Sequence, residues 1–424
     1  MARRIVAAIL RVLLRVFFRR IEIAGEVPNE PVIFAINHPN ALIDPLFLLC
    51  FAPRPVSFLA KTPLFRLPLI GWFARALDAI PVYRREDNVS TAGNRETFAR
   101  SRELLQRGGA IAIFPEGTTH SDPQLRELKT GAARIALGAG IRVNIVPTGL
   151  YYTAKQMFRS SALAYFGSPI VVQPEPVDDN GEPHPQSVER LTKQIENALD
   201  RVTLQADSHA ALELIGHAER IFTAGEDIAL ARELELRKQF VAGYAYLREH
   251  DPGRLTHLEA MIRQVDAEEL ARGERIPLSR LLIAPAGIIG AAIHWPVYRL
   301  IGFLATHLSS DEDEMVATIK AVAGLVLYPL MWIAIAIAFG FRFRLWAGLA
   351  LLIAQPLLGY IALVTIETFD DLRARVRSRD VGAQQKAIRD EILNVAQSMS
   401  LSSAAAPSPT SGAASEDSTS PAEK

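Results

Sequence analysis

Short apolar runs alternate with longer segments of helical spacing between residues 21 and 172. Runs of this length and composition are typical of buried strands. The predicted strands are IEIAG (21–25), PVIFAIN (31–37), PVSFLA (55–60), AIPVYR (79–84), AIAIF (110–114), VNIVPTGL (143–150) and ALAYFG (162–167). The predicted helices between them cover 45–52, 63–77, 90–107 and 124–138. This alternation predicts an α/β fold with a mostly parallel sheet flanked by helices.

The first twenty residues are apolar but are interrupted by arginine. At 100° per residue, Arg4, Arg11, Arg15 and Arg19 fall on one side of a helix. The pattern predicts that 1–20 form an interfacial membrane helix whose arginines face lipid phosphates. A signal peptide is the alternative, but the apolar stretch is broken and no small-residue cleavage site follows it.

Composition changes downstream of the α/β pattern. Residues 173–186 are rich in Pro, Asp and Gly and predict a loop at the end of a domain that covers 21–175. Residues 187–278 read as charged amphipathic helices, which predicts a helical connector or subdomain. The tail 400–424 has few apolar residues and is predicted to be disordered.

Three long apolar stretches lie within 281–366 and predict two or three membrane helices. The stretches 319–341 and 345–364 are each close to the ~20 residues that cross a bilayer. The earlier stretch, 281–305, contains Arg299, and a central arginine costs about 2.5–3.5 kcal/mol on insertion scales. That cost favours an interfacial or re-entrant helix for 281–305.

Charge and cysteine content exclude several classes of protein. Lys plus Arg and Asp plus Glu both number 46, so the chain lacks the net positive charge of a nucleic-acid-binding protein. Cys50 is the single cysteine, which excludes an intrachain disulfide and fits a small core residue. The mean hydropathy of +0.14 reflects the apolar stretches described above.

Candidate chemistry begins in the segment FAINHPNALIDPLFLLC, residues 34–50. A predicted strand ends just before His38, and Asp44 precedes Pro45 and an apolar run. Asp followed by Pro is a common helix start, which predicts Asp44 as the N-cap. The alternative is that the Asp44 carboxylate orients the imidazole of His38, so that its other ring nitrogen can act as a base.

Further polar groups follow other predicted strands. Arg84 ends AIPVYR, Glu116 and Gly117 follow AIAIF, and Lys129 lies a few residues later. Glycine allows a ligand to approach the backbone, and Arg and Lys supply charge for a phosphate. Because ligands of parallel α/β sheets bind at the carboxyl ends of the strands, we expect His38, Arg84 and Glu116 to share one site.

Together these motifs resemble the glycerolipid acyltransferase family, which includes lysophosphatidate and glycerol-3-phosphate acyltransferases. The family has four sequence blocks, and NHPNALID, AIPVYR, FPEGTTH and IVPTGL resemble them in order. The resemblance covers about residues 20–172. It implies a membrane-bound enzyme of phospholipid synthesis, with its catalytic domain on the cytoplasmic face, that needs no metal or cofactor. The implied donor is acyl-CoA or an acyl carrier protein, and the acceptor is a glycerol phosphate.

The resemblance also implies a role for each matching residue. His38 would be the general base and Asp44 would fix its tautomer. Arg84 and Lys129 would bind the acceptor phosphate, unless Arg84 forms a surface ion pair and Lys129 is a solvated helix residue. Glu116, Gly117 and Thr118 would position the glycerol, unless the Glu116 carboxylate only binds its own turn. The predicted substrate-binding residues are therefore Arg84, Glu116, Gly117, Thr118 and Lys129.

Three departures from the family pattern concern the acceptor. Five residues separate His38 from Asp44, one more than usual, which favours glycerol-3-phosphate. Asp78 and His120 also replace common family residues. Two other readings stay open, a non-catalytic lipid-binding protein and a metal-dependent phosphoesterase using His38, Asp44, His120 and Asp122.

Overall fold

The computed structural model describes residues 2–66, 71, 79–83, 94–265, 270, 276–309, 313–377 and 382–405. Arg84, Asp78 and most of the predicted helix 63–77 lie outside the described residues, as do 406–424 of the predicted tail. Within 63–77 a short 3₁₀-helix, Thr62–Arg66, is described.

One eight-stranded sheet forms the centre of the N-terminal half. Its strands are β1 (Arg20–Ala24), β2 (Val32–Ile36), β3 (Ser57–Lys61), β4 (Ile80–Val82), β5 (Ala110–Ile113), β6 (Val143–Tyr152), β7 (Ser161–Phe166) and β8 (Ile170–Val172). The order is β1-β7-β6-β2-β5-β3-β4, with β8 on β6. Among the described strands, β7 and β8 pair with β6 in antiparallel fashion and the other pairings are parallel. The predicted α/β fold with a mostly parallel sheet is confirmed, and β8 is the one strand that was not predicted.

Four α-helices of this half lie among the described residues, besides α5 (Pro185–Val202), which follows the sheet in sequence and packs on it. They are α1 (Ala2–Phe17), α2 (Ile43–Phe51), α3 (Asn94–Gln106) and α4 (Gly131–Leu137). The predicted helix 124–138 is too long at its N-terminal end, because 124–130 is not helical. In that segment the backbone N–H of Lys129 bonds the Pro115 carbonyl and that of Arg126 bonds the Glu116 carboxylate.

The sheet separates two apolar layers, as the alternation along β2 requires. Phe34 and its neighbours on that face pack with Phe18 and Phe47 from the α1–α2 side. Ile33 faces the opposite layer, which contains α3, α4 and α5 (Pro185–Val202) and includes Leu199. Helix α5 therefore packs on the sheet, although 187–278 was predicted as a separate helical segment.

Helix α1 lies on the domain with one face and exposes the other. Leu10 and Leu14 are buried in the core, whereas Ile9 and Val12 are exposed. Arg11 does not face away from the protein as predicted, because its guanidinium donates to the Cys50 carbonyl at 2.7 and 3.0 Å. The interfacial position of α1 stays a prediction.

A second group of helices follows the sheet. It comprises α6 (His209–Phe222), α7 (Leu230–His250), α8 (Pro252–Arg263) and the last helix that the structure describes. Between α8 and that last helix lie α9 (Leu278–Leu282), α10 (Ala284–Leu308), α11 (Asp313–Arg342) and α12 (Leu345–Arg377). The last helix, α13 (Gly382–Ala405), reaches into the predicted tail and returns to pack against α6, α7 and α8.

Three helices among the described residues are long and apolar enough to cross a membrane. They are α10, α11 and α12, with α12 meeting this criterion over Leu345–Val376. Two of them are anchored on the sheet domain. Lys320 of α11 donates to the Gln156 carbonyl at 2.7 Å, and Glu367 of α12 pairs with Arg159. The predicted membrane region therefore lies against the α/β domain.

Candidate active site

The His38–Asp44 segment turns between β2 and α2 at the carboxyl edge of the parallel strands. Helix α2 begins at Ile43, with Leu42 at the N-cap position and no side-chain capping bond. The prediction of Asp44 as the N-cap is therefore wrong. Its carboxylate instead reaches back along the turn and accepts the Asn40 N–H at 2.7 Å. Ala41 closes the turn with a positive φ of 29°.

Asp44 and His38 form a hydrogen-bonded pair in this turn. The His38 Nδ1 to Asp44 Oδ2 distance is 2.8 Å, and the Asp44 side chain is fully buried. The other carboxylate oxygen accepts the Tyr152 hydroxyl at 2.7 Å. Burial raises the pKa of Tyr152 well above its usual range, so this hydroxyl remains a donor at neutral pH. Three donors thus hold the buried carboxylate in one orientation.

The tautomer of His38 follows from this pairing. A carboxylate accepts but does not donate, so Nδ1 carries the proton and Nε2 carries the lone pair. The imidazole stacks on Phe114 with ring centroids 4.0 Å apart, and its side chain is 16% exposed. Nε2 has no hydrogen-bond partner among the described residues. The ring is therefore fixed on one side and available as a base on the other.

Glu116 links the turn after β5 to the turn after β2. One carboxylate oxygen accepts the His38 backbone N–H at 3.1 Å. The other accepts the Arg126 N–H at 3.0 Å and the Nε2–H of His120. Glu116 is only 3% exposed. Both oxygens of its carboxylate accept hydrogen bonds from the protein. This arrangement matches the alternative that Glu116 binds its own turn, and it also binds the backbone of His38.

His120 completes this connection between the two turns. Its Nδ1 accepts the Asp122 N–H at 3.2 Å, which leaves the proton on Nε2 for Glu116. Its backbone N–H lies 3.3 Å from the His38 carbonyl. His120 is buried. The structure therefore brings the first and third sequence blocks together through His38, Glu116 and His120.

The other predicted substrate-binding residues are Gly117, Thr118, Lys129 and Arg84. Gly117 has a φ of +78°, and a side chain there would lie 3.4 Å from the Lys129 side chain, so Lys129 covers this glycine. Lys129 and Thr118 are exposed. Arg84 lies outside the described residues. The substrate-binding roles of these residues and of Glu116 stay predictions.

Several residues of the site were not predicted from the sequence. Asn37 bonds both the N–H and the carbonyl of Leu150, at 2.7 and 3.1 Å, and so ties the first block to the fourth. Lys155 approaches the Pro39 carbonyl at 3.5 Å and donates to Ser121. These contacts join positions that are distant in sequence, so local patterns do not predict them. For Lys155, the only sequence signal is its place among the polar residues that follow IVPTGL.

The first turns of α11 also reach the site. Glu314 accepts the Ser121 hydroxyl, and the Thr318 hydroxyl accepts the Leu42 N–H at 3.2 Å. Ser121 therefore stands between Glu314 and the Lys155 ammonium. Burial lowers the pKa of Lys155, while the nearby Glu314 charge opposes that shift. A helix predicted for the membrane thus contacts the loop that holds His38.

The described residues contain no group of three or more His, Cys, Asp or Glu side chains arranged to hold a metal ion. His38 and Asp44 bond each other, while His120 bonds Glu116. The four side chains considered for a metal site are therefore divided among three pairs, because Asp122 pairs with Arg126 at 2.5 Å.

Comparison with known proteins shows which proteins this region resembles. Residues 19–151 match the family model described as Acyltransferase. Glycerol-3-phosphate O-acyltransferase 2 from Saccharomyces cerevisiae is 26% identical over 58% of this chain and 38% of its own length. The chloroplastic 1-acyl-sn-glycerol-3-phosphate acyltransferase LPAT1 from Arabidopsis thaliana is 31% identical over 33% of this chain and 38% of its own.

A solved structure is also similar, the 1-acyl-sn-glycerophosphate acyltransferase PlsC from Thermotoga maritima. It is 18% identical, with a TM-score of 0.34, and the match covers 47% of this chain and 80% of that chain. Matches to the first three curated relatives span between 38% and 50% of their lengths. The resemblance to glycerolipid acyltransferases predicted from the sequence is confirmed.

Proposed function

We propose, from the membership of residues 19–151 in the acyltransferase family, that this chain transfers a fatty acyl group to a hydroxyl of a glycerol phosphate. The acceptor is glycerol-3-phosphate or 1-acylglycerol-3-phosphate, and the donor is a thioester of CoA or of an acyl carrier protein. One observation carries the mechanism. His38 has its Nδ1 proton bound by a buried carboxylate at 2.8 Å, and its Nε2 has no hydrogen-bond partner in the part of the chain that the structure describes.

This arrangement suits attack by an alcohol on a thioester. A hydroxyl is a poor nucleophile at neutral pH, so His38 Nε2 removes its proton as the oxygen attacks the thioester carbonyl. The new C–O ester bond forms, the C–S bond breaks, and the imidazolium returns the proton to the leaving thiolate. Such a base contributes roughly 10²–10⁴ in rate.

Asp44 stabilises the imidazolium that exists only during this reaction. Its negative charge is buried, and the hydroxyl of Tyr152 and the N–H of Asn40 keep it oriented. Charge stabilisation in a dry site is worth more than in water. Glu116 acts as a positioning residue, because it holds the backbone of His38 rather than reaching outward.

The acceptor phosphate requires a cation near His38. Arg84 and Lys129 are candidates from the family resemblance, and Lys155 joins them because its ammonium lies 3.5 Å from the carbonyl of Pro39. Phosphate binding by Lys155 would replace the interaction that reaches Glu314 through Ser121. Gly117 and Thr118 would then lie beside the glycerol part.

A membrane position suits these substrates. The acyl chain and the lipid product are insoluble in water, and three candidate membrane helices follow the α/β domain. Helix α1 exposes Ile9 and Val12, which fits an interfacial helix beside the site. We propose that the catalytic domain faces the cytoplasm, where acyl thioesters are made.

The test is acyl transfer by the purified full chain in lipid vesicles. Labelled acyl-CoA and acyl carrier protein thioester are each offered with glycerol-3-phosphate, dihydroxyacetone phosphate and lysophospholipids. We expect one glycerol phosphate acceptor to be used, and His38→Ala to remove the activity. His184→Ala is the matched control, since His184 is exposed and makes no side-chain capping bond. Full activity of His38→Ala would overturn the mechanism.

Two other functions have less support. A metal-dependent phosphoesterase needs a ligand cluster, and the part of the chain that the structure describes offers none. A non-catalytic lipid-binding protein does not need an oriented His38 whose Nε2 lacks a hydrogen-bond partner among the described residues. Absence of turnover with every donor and acceptor, together with lipid binding, would favour that second function.

A further inference from the structure

The number of membrane crossings is constrained by where the chain returns. After the three candidate membrane helices, α13 shares a core with α6, α7 and α8 through Ile388 and Val395. Arg254 of α8 also pairs with Glu391 of α13 at 2.6 Å. Helices that share a core lie on the same side of a bilayer. The chain between α8 and α13 must therefore cross an even number of times.

The connections at either end add no further crossing. Residues 264–277, between α8 and α9, carry six charged side chains, which opposes insertion. Residues 378–381, between α12 and α13, span at most about 14 Å even when fully extended. Of the three candidate helices, at least one therefore does not cross the membrane.

Helices α11 and α12 form the pair that crosses. Residues 321–341 and 345–366 contain no charged residue, so each can fill a ~30 Å apolar layer. The two helices run antiparallel, with Gly348 against Ala336 and Gln355 donating to the Trp332 carbonyl at 3.1 Å. The start of α11 and the end of α12 are both bound to the α/β domain, at Gln156 and Arg159.

The middle of α10 meets these two helices at a polar contact. Trp332 of α11 donates its indole N–H to His294 Nε2 at 2.9 Å. A methyl group at Gly359 of α12 would lie 2.9 Å from the same His294 nitrogen, so the absence of a side chain there admits the imidazole. Trp332 lies twelve residues beyond Lys320, or about 18 Å deeper at 1.5 Å per residue. His294 is thus near the middle of the apolar layer.

Both halves of α10 return from this contact toward the α/β domain. Its first half follows the domain-bound end of α12, because Gly287 lies against Thr365 and Gly290 against Leu358. Its second half follows the first half of α11, where Ile301 lies beside Gly324. A helix whose two ends lie at the same side of the layer enters it and leaves it without crossing.

The composition of α10 agrees with this path. Its mean hydropathy over the most apolar window is 1.4, against 2.3 for α11 and 2.1 for α12. Arg299 is exposed, and its guanidinium lies 5.8 Å from the ring centroid of Trp295. If α10 crossed the bilayer along its normal, this charge would lie near the centre of the apolar layer. Pro296 follows His294 by two residues, and proline inside a helix favours a bend there.

We propose that α10 is a re-entrant helix inserted into the leaflet on the side of the α/β domain, and that only α11 and α12 cross. Its partner is the acyl-chain layer of that leaflet. The exposed side chains Ile288, Ile289, Trp295 and Phe303 form the lipid-contacting face. Arg299 reaches the phosphates of the same leaflet from a short depth.

Single-cysteine labelling tests this path in the full chain. The native Cys50 is 2% exposed, and burial raises its pKa to about 11, so it gives little background. The reporter positions Leu282, Leu308 and Phe343 are exposed and lie before α10, at the end of α10 and between α11 and α12. Each is changed to cysteine separately and treated with a membrane-impermeant maleimide in intact cells and in inverted vesicles. Glu249→Cys, exposed on α7, reports the side of the helical domain.

The expected result is labelling of Leu282→Cys and Leu308→Cys from the same side as Glu249→Cys, with Phe343→Cys labelled from the opposite side. Labelling of Leu282→Cys and Leu308→Cys from opposite sides would show that α10 crosses and would overturn the proposal. Labelling of Phe343→Cys from the side of Glu249→Cys would overturn it as well, because α11 and α12 would then not cross.

Discussion

Removal of one oxygen atom from Tyr152 tests how the site holds its carboxylate. Tyr152 donates to Asp44 at 2.7 Å, and its ring packs with Phe18 and Phe47. Tyr152→Phe keeps this packing and leaves one oxygen of a fully buried carboxylate without its donor. Hydrogen bonds to charged groups contribute about 1.5–3 kcal/mol.

Loss of this hydrogen bond should slow the reaction, because the positive charge that Asp44 stabilises on His38 appears during proton transfer. Proton transfer to His38 Nε2 places a positive charge on the imidazole, so a less well-oriented Asp44 raises the energy of the transition state above all. A loss of about 1.5–3 kcal/mol corresponds to a decrease in kcat of roughly 10- to 100-fold. KM for the acceptor should remain close to that of the unmodified protein, because the Tyr152 hydroxyl is bound by Asp44.

The assay is steady-state acyl transfer in vesicles, with thermal unfolding measured on the same samples. Tyr165→Phe on β7 is the matched control, since it removes a tyrosine hydroxyl from the same sheet at a distance from Asp44. We expect the control to retain its kcat. An unchanged kcat in Tyr152→Phe, or a change confined to KM, would refute the reasoning that the orientation of Asp44 governs the rate.

Three further outcomes are expected from the same geometry. Glu116→Gln places an amide N–H₂ among the N–H groups of His38, Arg126 and His120, where it has no acceptor. We expect a loss of about 1–3 kcal/mol in unfolding free energy, measured by thermal unfolding, and a reduced kcat, measured by turnover. Its exposed counterpart Glu249→Gln should change neither. Asn37→Ala leaves both backbone groups of Leu150 unpaired and should lower the unfolding free energy by about 2 kcal/mol; wild-type stability would contradict this. The raised pKa of Cys50, about 11, keeps its thiol protonated at pH 8, so maleimide should label it only on unfolding, and rapid labelling of the native chain would contradict its burial.

The strands of the sheet could be predicted because burial imposes a simple pattern on them. β2 is apolar along its whole length, since it lies between two helical layers, and the turn residues after it are polar. The placement of His38 and Glu116 at one edge followed from the rule for parallel sheets. These inferences use local composition and chain direction only, and both can be read from one sequence.

The contacts that orient the site could not be predicted in the same way. Tyr152 reaches Asp44 only because β6 pairs with β2 in a particular register, across 108 positions of sequence. The helix expected over 124–138 starts late because Arg126 and Lys129 donate their N–H groups to the Glu116 turn. Tertiary hydrogen bonds of this kind override local helix propensity.

The same limit explains the error at Asp44. Asp before Pro fits an N-cap by local rules. In the folded protein the helix begins earlier, and the carboxylate is used by His38, Asn40 and Tyr152 instead. The approach of Thr318 and Glu314 to this turn depends on how α11 meets the domain, which no local pattern encodes.

The most direct measurement of the central claim is kcat for acyl transfer by His38→Gln in lipid vesicles. Glutamine retains an N–H that can donate to Asp44 but has no basic nitrogen. The account predicts a decrease of roughly 10²–10⁴ in kcat, with unfolding temperature and membrane association unchanged. A His38→Gln protein that transfers acyl groups at the rate of the unmodified chain would contradict the assignment of His38 as the base.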